Sequence, residues 1–168
     1  MDVNPFEILQ LKPSPKMDLG EMRKRYIEIQ RNGHPDLGND SGISELANKA
    51  YSLLKSDESR MAEIIKFYGV WPPDTKLIGM DFLMETMEIS EAIDAVLNSN
   101  NPDITEVQGS LTQLRKELDN QLDSLQFRVQ ENSDWTTDTD LLNDISSWYQ
   151  KCRYLTRLEK NLKGEEEL

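Results

Sequence analysis

The chain holds one histidine in 168 residues, and proline and aspartate follow it at once: His34, Pro35 and Asp36 stand in the stretch QRNGHPDLGND. An imidazole beside a carboxylate has the makings of an acid–base pair. Its neighbours argue otherwise. Gly33, Pro35 and Gly38 predict a turn, and an exposed turn provides neither a pocket nor excluded water. Metal chemistry has little to draw on, because there is no second histidine and only one cysteine, Cys152. No glycine-rich phosphate loop occurs, and no Ser–His or His–Cys pair stands at a recognisable spacing. Cys152 falls on an apolar helical seam with Leu141, Ile145, Trp148, Leu155, Leu158 and Leu162, which predicts a buried thiol rather than a nucleophile. The reading is a protein with no catalytic residue, metal or cofactor of its own, one that works through its surfaces.

A second group of residues has the spacing of a binding face. Met84, Met87, Glu88 and Glu91 follow an i, i+3, i+4, i+7 pattern, so they share one side of a helix. Methionine adapts well at binding surfaces. The same pattern would also suit methionines turned into a core with glutamates at its border, and both readings stay open here.

Charge narrows the partners. Lysine and arginine number 19 and the acids 31, a net of 19 − 31 = −12. Nucleic acid needs basic surface and is not expected as a partner. No apolar run approaches the roughly 18 residues of a membrane span, so no membrane is expected either. The charge is uneven: residues 1–72 hold 10 − 11 = −1, and residues 73–168 hold 9 − 20 = −11. The step falls at YGVWPPDTKLIG, where Gly69, Pro72, Pro73 and Gly79 crowd together and two prolines stop any helix. A domain boundary is placed at about residues 69–77, giving units 1–72 and 76–164; an internal loop of one domain is the other reading.

Periodicity makes both units all-α. Asn4, Pro5 and Glu7 begin a brief helix in the manner of a capping box. Asp18 caps a second helix whose stripe is Leu19, Met22, Tyr26 and Ile29, with Gly33 at its end. A third, over about 43–55, carries Ile43, Leu46, Ala47, Ala50, Tyr51 and Leu54. A fourth starts at Ser56 or Asp57 and turns Met61, Ile64, Ile65 and Tyr68 inward. Three longer helices follow over about 77–98, 103–131 and 138–163. The second has the seam Leu111, Leu114, Leu118, Leu122, Leu125 and Val129. The polar links NSNNPD and ENSDWTTD make neighbours antiparallel, and a three-helix bundle results.

The order MRKRYIEIQR, then HPD, then NKAYSLLKSDESR, with Tyr26 eight residues before His34, resembles a J-domain. NPFEILQLKPS at the start, DFLMETMEISEAID in the middle and WYQKCRYLTRLEKNL near the end extend the resemblance over nearly the whole chain to HscB, the J-protein family of iron–sulfur cluster assembly. That resemblance implies a helical hairpin with an HPD loop, joined in an L-shaped arrangement to a three-helix bundle. It implies two partners: an HscA/DnaK-class chaperone whose ATPase is stimulated, and an IscU-type cluster scaffold. His34, Pro35 and Asp36 would meet the chaperone together with the cations Arg23, Lys24 and Arg31 of the preceding helix. Leu83, Met84, Met87, Glu88 and Glu91, with Tyr154, would form the scaffold face. The same ATPase role with a different client is the alternative. Some positions depart from the family's pattern: Gly33 for an aromatic or histidine, Leu37 for a basic residue, Ala95 for a further glutamate, and no cysteine-rich N-terminal metal site. The opening MDVNPFEIL reads as neither a signal peptide nor an arginine-rich presequence. The expected compartment is a bacterial cytoplasm, or the mitochondrial matrix had a presequence been removed.

Overall fold

The computed structural model describes residues 3–32, 41–100 and 102–164. Among these there are seven α-helices, two 3-10 turns and no strand. The helices are α1 (Pro5–Ile8), α2 (Leu19–Asn32), α3 (Ser41–Leu54), α4 (Asp57–Tyr68), α5 (Met80–Leu97), α6 (Thr105–Glu131) and α7 (Thr139–Lys163). The 3-10 turns, Thr75–Ile78 and Trp135–Thr137, lead into α5 and α7.

The helix starts obey local chemistry. Asn4 accepts from the Phe6 amide at 3.1 Å, and Asp18 accepts from those of Gly20 and Glu21 at 2.8 and 3.1 Å. Ser56 caps α4 and Asp138 caps α7. Each cap satisfies an amide that the helix itself leaves open. The box at Asn4 is incomplete: Glu7 accepts from the Asn4 side-chain amide at 3.4 Å, not from its backbone. Gly79 enters α5 with φ +87°, a conformation that favours glycine.

The long seams pack as their periodicity predicts. Leu111, Leu114, Leu118, Leu122, Leu125 and Val129 of α6 are buried, as are Leu141, Ile145, Trp148, Cys152, Leu155 and Leu158 of α7. Burying one such aliphatic side chain contributes about 1.5–3 kcal/mol. The Trp148 indole donates to the Leu118 carbonyl at 2.8 Å, so its polar atom is partnered inside the seam. Some stripe residues differ. Leu19, Ile43 and Leu46 are exposed, because α2 and α3 pack on each other along a narrower strip than their apolar residues mark out. The link ENSDWTTD is not wholly polar surface: Trp135 is 6% exposed and its ring lies 6.2 Å from that of Tyr68.

The two halves are in contact. The Trp71–Pro72 bond between them is cis, and the Trp71 ring lies 5.9 Å from Tyr149 of α7. Gln150 donates to the Asp74 carbonyl at 2.9 Å. Ser14 and the Lys16 amide both reach Gln126 of α6, and Lys16 pairs with Asp123. Buried apolar residues of both halves belong to one cluster.

Arg60 is the most demanding core residue, at 1% exposure. Its Nε and Nη2 donate to the Pro15 carbonyl at 3.0 and 2.7 Å, its Nη1 to the Leu54 carbonyl at 2.7 Å, and Nη2 also to Asp57. Burial lowers the guanidinium's pKa, and Asp57 opposes that shift. The Leu54 carbonyl ends α3 and has no partner of its own in the helix. One side chain therefore joins α3, α4 and the segment before α2. Arg60→Leu would leave both carbonyls without a donor and is expected to cost about 2–4 kcal/mol. Urea unfolding followed by circular dichroism measures this, and an unchanged midpoint would contradict the assigned role.

Candidate functional site

The HPD triplet, His34, Pro35 and Asp36, lies outside the described residues, as do Gly33 and Leu37. What the structure describes is the hairpin on either side of it. Tyr26 donates to the Asn48 side chain at 2.7 Å, and Gln30 donates to the same oxygen at 3.0 Å and to the Ser44 carbonyl at 2.9 Å. The Tyr26 and Tyr51 rings pack at a tilt of 37° with centroids 4.8 Å apart. One acceptor, Asn48, thus gathers two donors from α2, and a ring pair fixes the spacing one turn away. These are the residues of the YIEIQ and NKAY segments, so those segments set the separation of α2 and α3. Gln30 is engaged with α3 rather than with solvent.

Met22 is buried, and Tyr26 and Ile29 lean on the core. At about 100° per residue, Lys24 and Arg31 stand opposite Met22 and Arg23 stands on the flank with Gln30. All three cations are exposed, with no ion pair among the described residues. Arg25 differs, since it faces Glu28 at 3.6 Å. The hairpin therefore presents a positive face on a molecule of net charge −12. Such a face steers an acidic surface toward it.

The second surface is on α5. Phe82, Thr86, Ile89 and Ile93 are buried, and this single stripe faces α6 and α7. Met84 and Met87 are 57% and 62% exposed. The alternative in which these methionines are core is thereby overturned. By the helical angle, Met84, Met87 and Glu91 stand opposite Phe82, Glu88 flanks them on one side and Leu83 on the other. Leu83 is half-buried and packs against the core. Met80, at 70% exposure, extends the same face; it is absent from the predicted face, and its place four residues before Met84 is the signal that marks it. Ala95 is also exposed there. Tyr154 is not in line with the methionines. It approaches from α7 and packs edge-on against Phe82, centroids 6.5 Å apart at 89°, next to Leu83 in sequence. Exposed apolar side chains gathered on one helix face mark an interaction site more than a scatter of single ones does.

Cys152 lies away from both surfaces. It is buried, with the Arg115 guanidinium donating at 3.7 Å. Arg115 is held by Glu159 through two bonds of 3.2 and 2.6 Å. Burial pushes the Cys152 thiol up to about 12, against the pull of Arg115. Among the described residues no group of three or more His, Cys, Asp or Glu side chains is placed to hold a metal ion, and no helix is long and apolar enough to cross a membrane.

Comparison with known proteins follows the same outline. Residues 79–163 match the HSCB C-terminal oligomerisation domain, 85 of the 168 residues. The co-chaperone protein HscB homolog of Haemophilus ducreyi is 28% identical, over 94% of each chain. The human iron–sulfur cluster co-chaperone protein HscB is 24% identical, over 94% of this chain and 66% of the human one. The crystal structure of human HscB superposes with a TM-score of 0.71 at 23% identity, covering 97% of this chain and 82% of that one.

The thiol yields a test of the core between α6 and α7. The raised pKa means that the folded state holds the proton more tightly than the unfolded chain does. Stability from this group is present below the ordinary value of 9.0 and is lost as pH rises from there toward about 12. Cys152→Ala should show a shallower loss of stability across that window in pH-dependent unfolding. Identical slopes for both proteins would contradict the burial of the thiol.

Proposed function

The chain belongs to the HscB family of co-chaperones, and from that premise we propose that it delivers an IscU-type cluster scaffold to an HscA/DnaK-class chaperone and stimulates that chaperone's ATPase. The observation that carries the reading is the methionine face of α5, solvent-exposed on a helix whose opposite side is fully committed to the bundle. The family resemblance supports scaffold docking there, and the name of the human relative, an iron–sulfur cluster co-chaperone, supports a cluster-assembly client. In this proposal residues 1–72 act on the chaperone and residues 76–164 hold the scaffold. The protein contributes binding energy and no bond chemistry.

Each surface has its own mechanism. On α5, Met84 and Met87 form an apolar centre, with Leu83 anchored beside it on the core and Glu88 and Glu91 around the rim. Tyr154 extends it toward α7. A partner excludes water from the thioethers, and the rim carboxylates select its register. On α2, Arg23, Lys24 and Arg31 supply long-range attraction, which sets the encounter rate and weakens with salt. His34, Pro35 and Asp36 then make the short-range contact with the ATPase.

The two modes predict different responses. Met84→Ala combined with Met87→Ala should weaken scaffold binding at least thirtyfold, roughly 2 kcal/mol, at low and high salt alike. Both side chains are exposed, so the variant should stay folded. Arg23→Glu with Arg31→Glu should reduce stimulated ATP hydrolysis, most at low salt. His34→Gln should abolish stimulation and leave scaffold binding intact. Calorimetric titration of the scaffold and single-turnover ATP hydrolysis by the chaperone measure these outcomes. Normal scaffold binding by the methionine variant would remove α5 as the docking helix, and full stimulation by His34→Gln would remove the J-domain assignment.

A further inference from the structure

Nine cations follow residue 72, and five of them, Lys151, Arg153, Arg157, Lys160 and Lys163, stand within the last thirteen residues of α7. That stretch has one acid, Glu159, which is bonded to Arg115. The local charge is reversed on a chain of net −12. Arg153, Arg157 and Lys160 recur at i, i+4 and i+7 and turn to one side of α7. There they line a cleft of about 320 Å³ between α4 and the turn that leads into α5. Glu58 of α4, on the opposite wall, accepts from Thr156 at 3.3 Å. Arg157 has an interaction of its own within the protein, and Arg153 and Lys160 on either side of it give the lining its positive face.

Tyr154 connects this cleft to the surface already described. It lines the cleft and also packs edge-on against Phe82 of α5. A partner seated on α5 and reaching Tyr154 is at the cleft mouth. Arg153 and Lys160 stand seven residues apart on the helix, roughly 10 Å at 1.5 Å per residue. Carboxylates strung along a peptide match that separation, whereas one tetrahedral ion meets only a single point of it. Arginine pairs especially well with carboxylate.

We propose that the cleft receives an acidic segment of the same scaffold that docks on α5, so that the scaffold interface continues across Tyr154 onto the cationic side of α7. The proposal rests on the reading of α5 as the scaffold-docking helix, and the test separates the two. The variant is Arg153→Glu with Lys160→Glu in the full chain, with Arg153→Gln and Lys160→Gln as the milder form should the reversal lower the melting temperature. Scaffold binding is measured by calorimetry at about 50 and about 300 mM salt. In parallel, a hexaglutamate peptide and inorganic phosphate are titrated into the full chain while the Tyr154 and Arg153 amides are followed by NMR.

The expected result is scaffold affinity roughly tenfold weaker at low salt with little difference at high salt. Hexaglutamate should shift both amides in the wild type and not in the variant, and phosphate should leave them in place. Unchanged scaffold affinity in the charge variant, beside lost binding in Met84→Ala/Met87→Ala, would overturn the cleft and keep α5. Weakened binding in the charge variant beside normal binding in the methionine variant would overturn α5 and keep the cleft. Phosphate shifts equal to those of hexaglutamate would overturn the acidic-peptide assignment.

Discussion

Helix α7 has more apolar and aromatic surface than one neighbour can cover. Leu141, Ile145, Trp148 and Leu155 form a stripe that buries against α6, but Leu142, Tyr149 and Gln150 are buried as well. A helix with side chains committed around so much of its circumference must be enclosed on several sides. Here α6 takes one side, α5 meets another through Phe82 and Tyr154, and α4 with Trp71 takes a third. The position of every other long helix follows from that requirement. The bundle and the N-terminal hairpin are joined through α7's own burial, supplemented by Gln150 on Asp74 and Tyr68 on Trp135.

The same requirement explains what is left exposed. Because α5 is needed only to cover one side of α7 and α6, it buries a single stripe and its far side is free of the fold. Methionines placed there contribute little to the core and are available to a partner. The hairpin has the corresponding economy. Asn48 collects Tyr26 and Gln30, Arg60 joins α3 to α4 and to Pro15, and Met22 fills the interior. The cations on the outer side of α2 have no such work to do in the fold. Both proposed docking faces are thus the reverse sides of helices whose inner stripes are fully used, and each is held rigidly by those stripes.

Much of this was legible in the sequence because it is written locally. Asn4, Asp18 and Ser56 cap the helices they precede, since a cap is a contact over two or three residues. The seams of α6 and α7 follow from period alone. The Met84, Met87, Glu88 and Glu91 face was legible as a face, but its direction was not: spacing says which residues share a side and not whether that side meets solvent. Trp135 was hidden in a polar stretch because its burial comes from Tyr68, far away in the chain. Arg60 was visible only as part of the DESR run, since its partners at Pro15 and Leu54 depend on the folded hairpin. Ile43 and Leu46 erred in the other direction, an apolar pattern wider than the groove that receives it. The resemblance to HscB came from motifs that combine both kinds of residue, and it reached further than periodicity.

In the proposed function one molecule carries both surfaces and holds a client against an ATPase. The direct measurement is single-turnover ATP hydrolysis by a cognate DnaK-class chaperone, with the cluster scaffold present, in an equal mixture of two variants. One is His34→Gln, with an intact α5 face, and the other is Met84→Ala/Met87→Ala, with an intact hairpin. The account predicts that the mixture shows no more scaffold-dependent stimulation than the methionine variant alone, since neither molecule connects the two partners. Recovery to the wild-type level by mixing would contradict it.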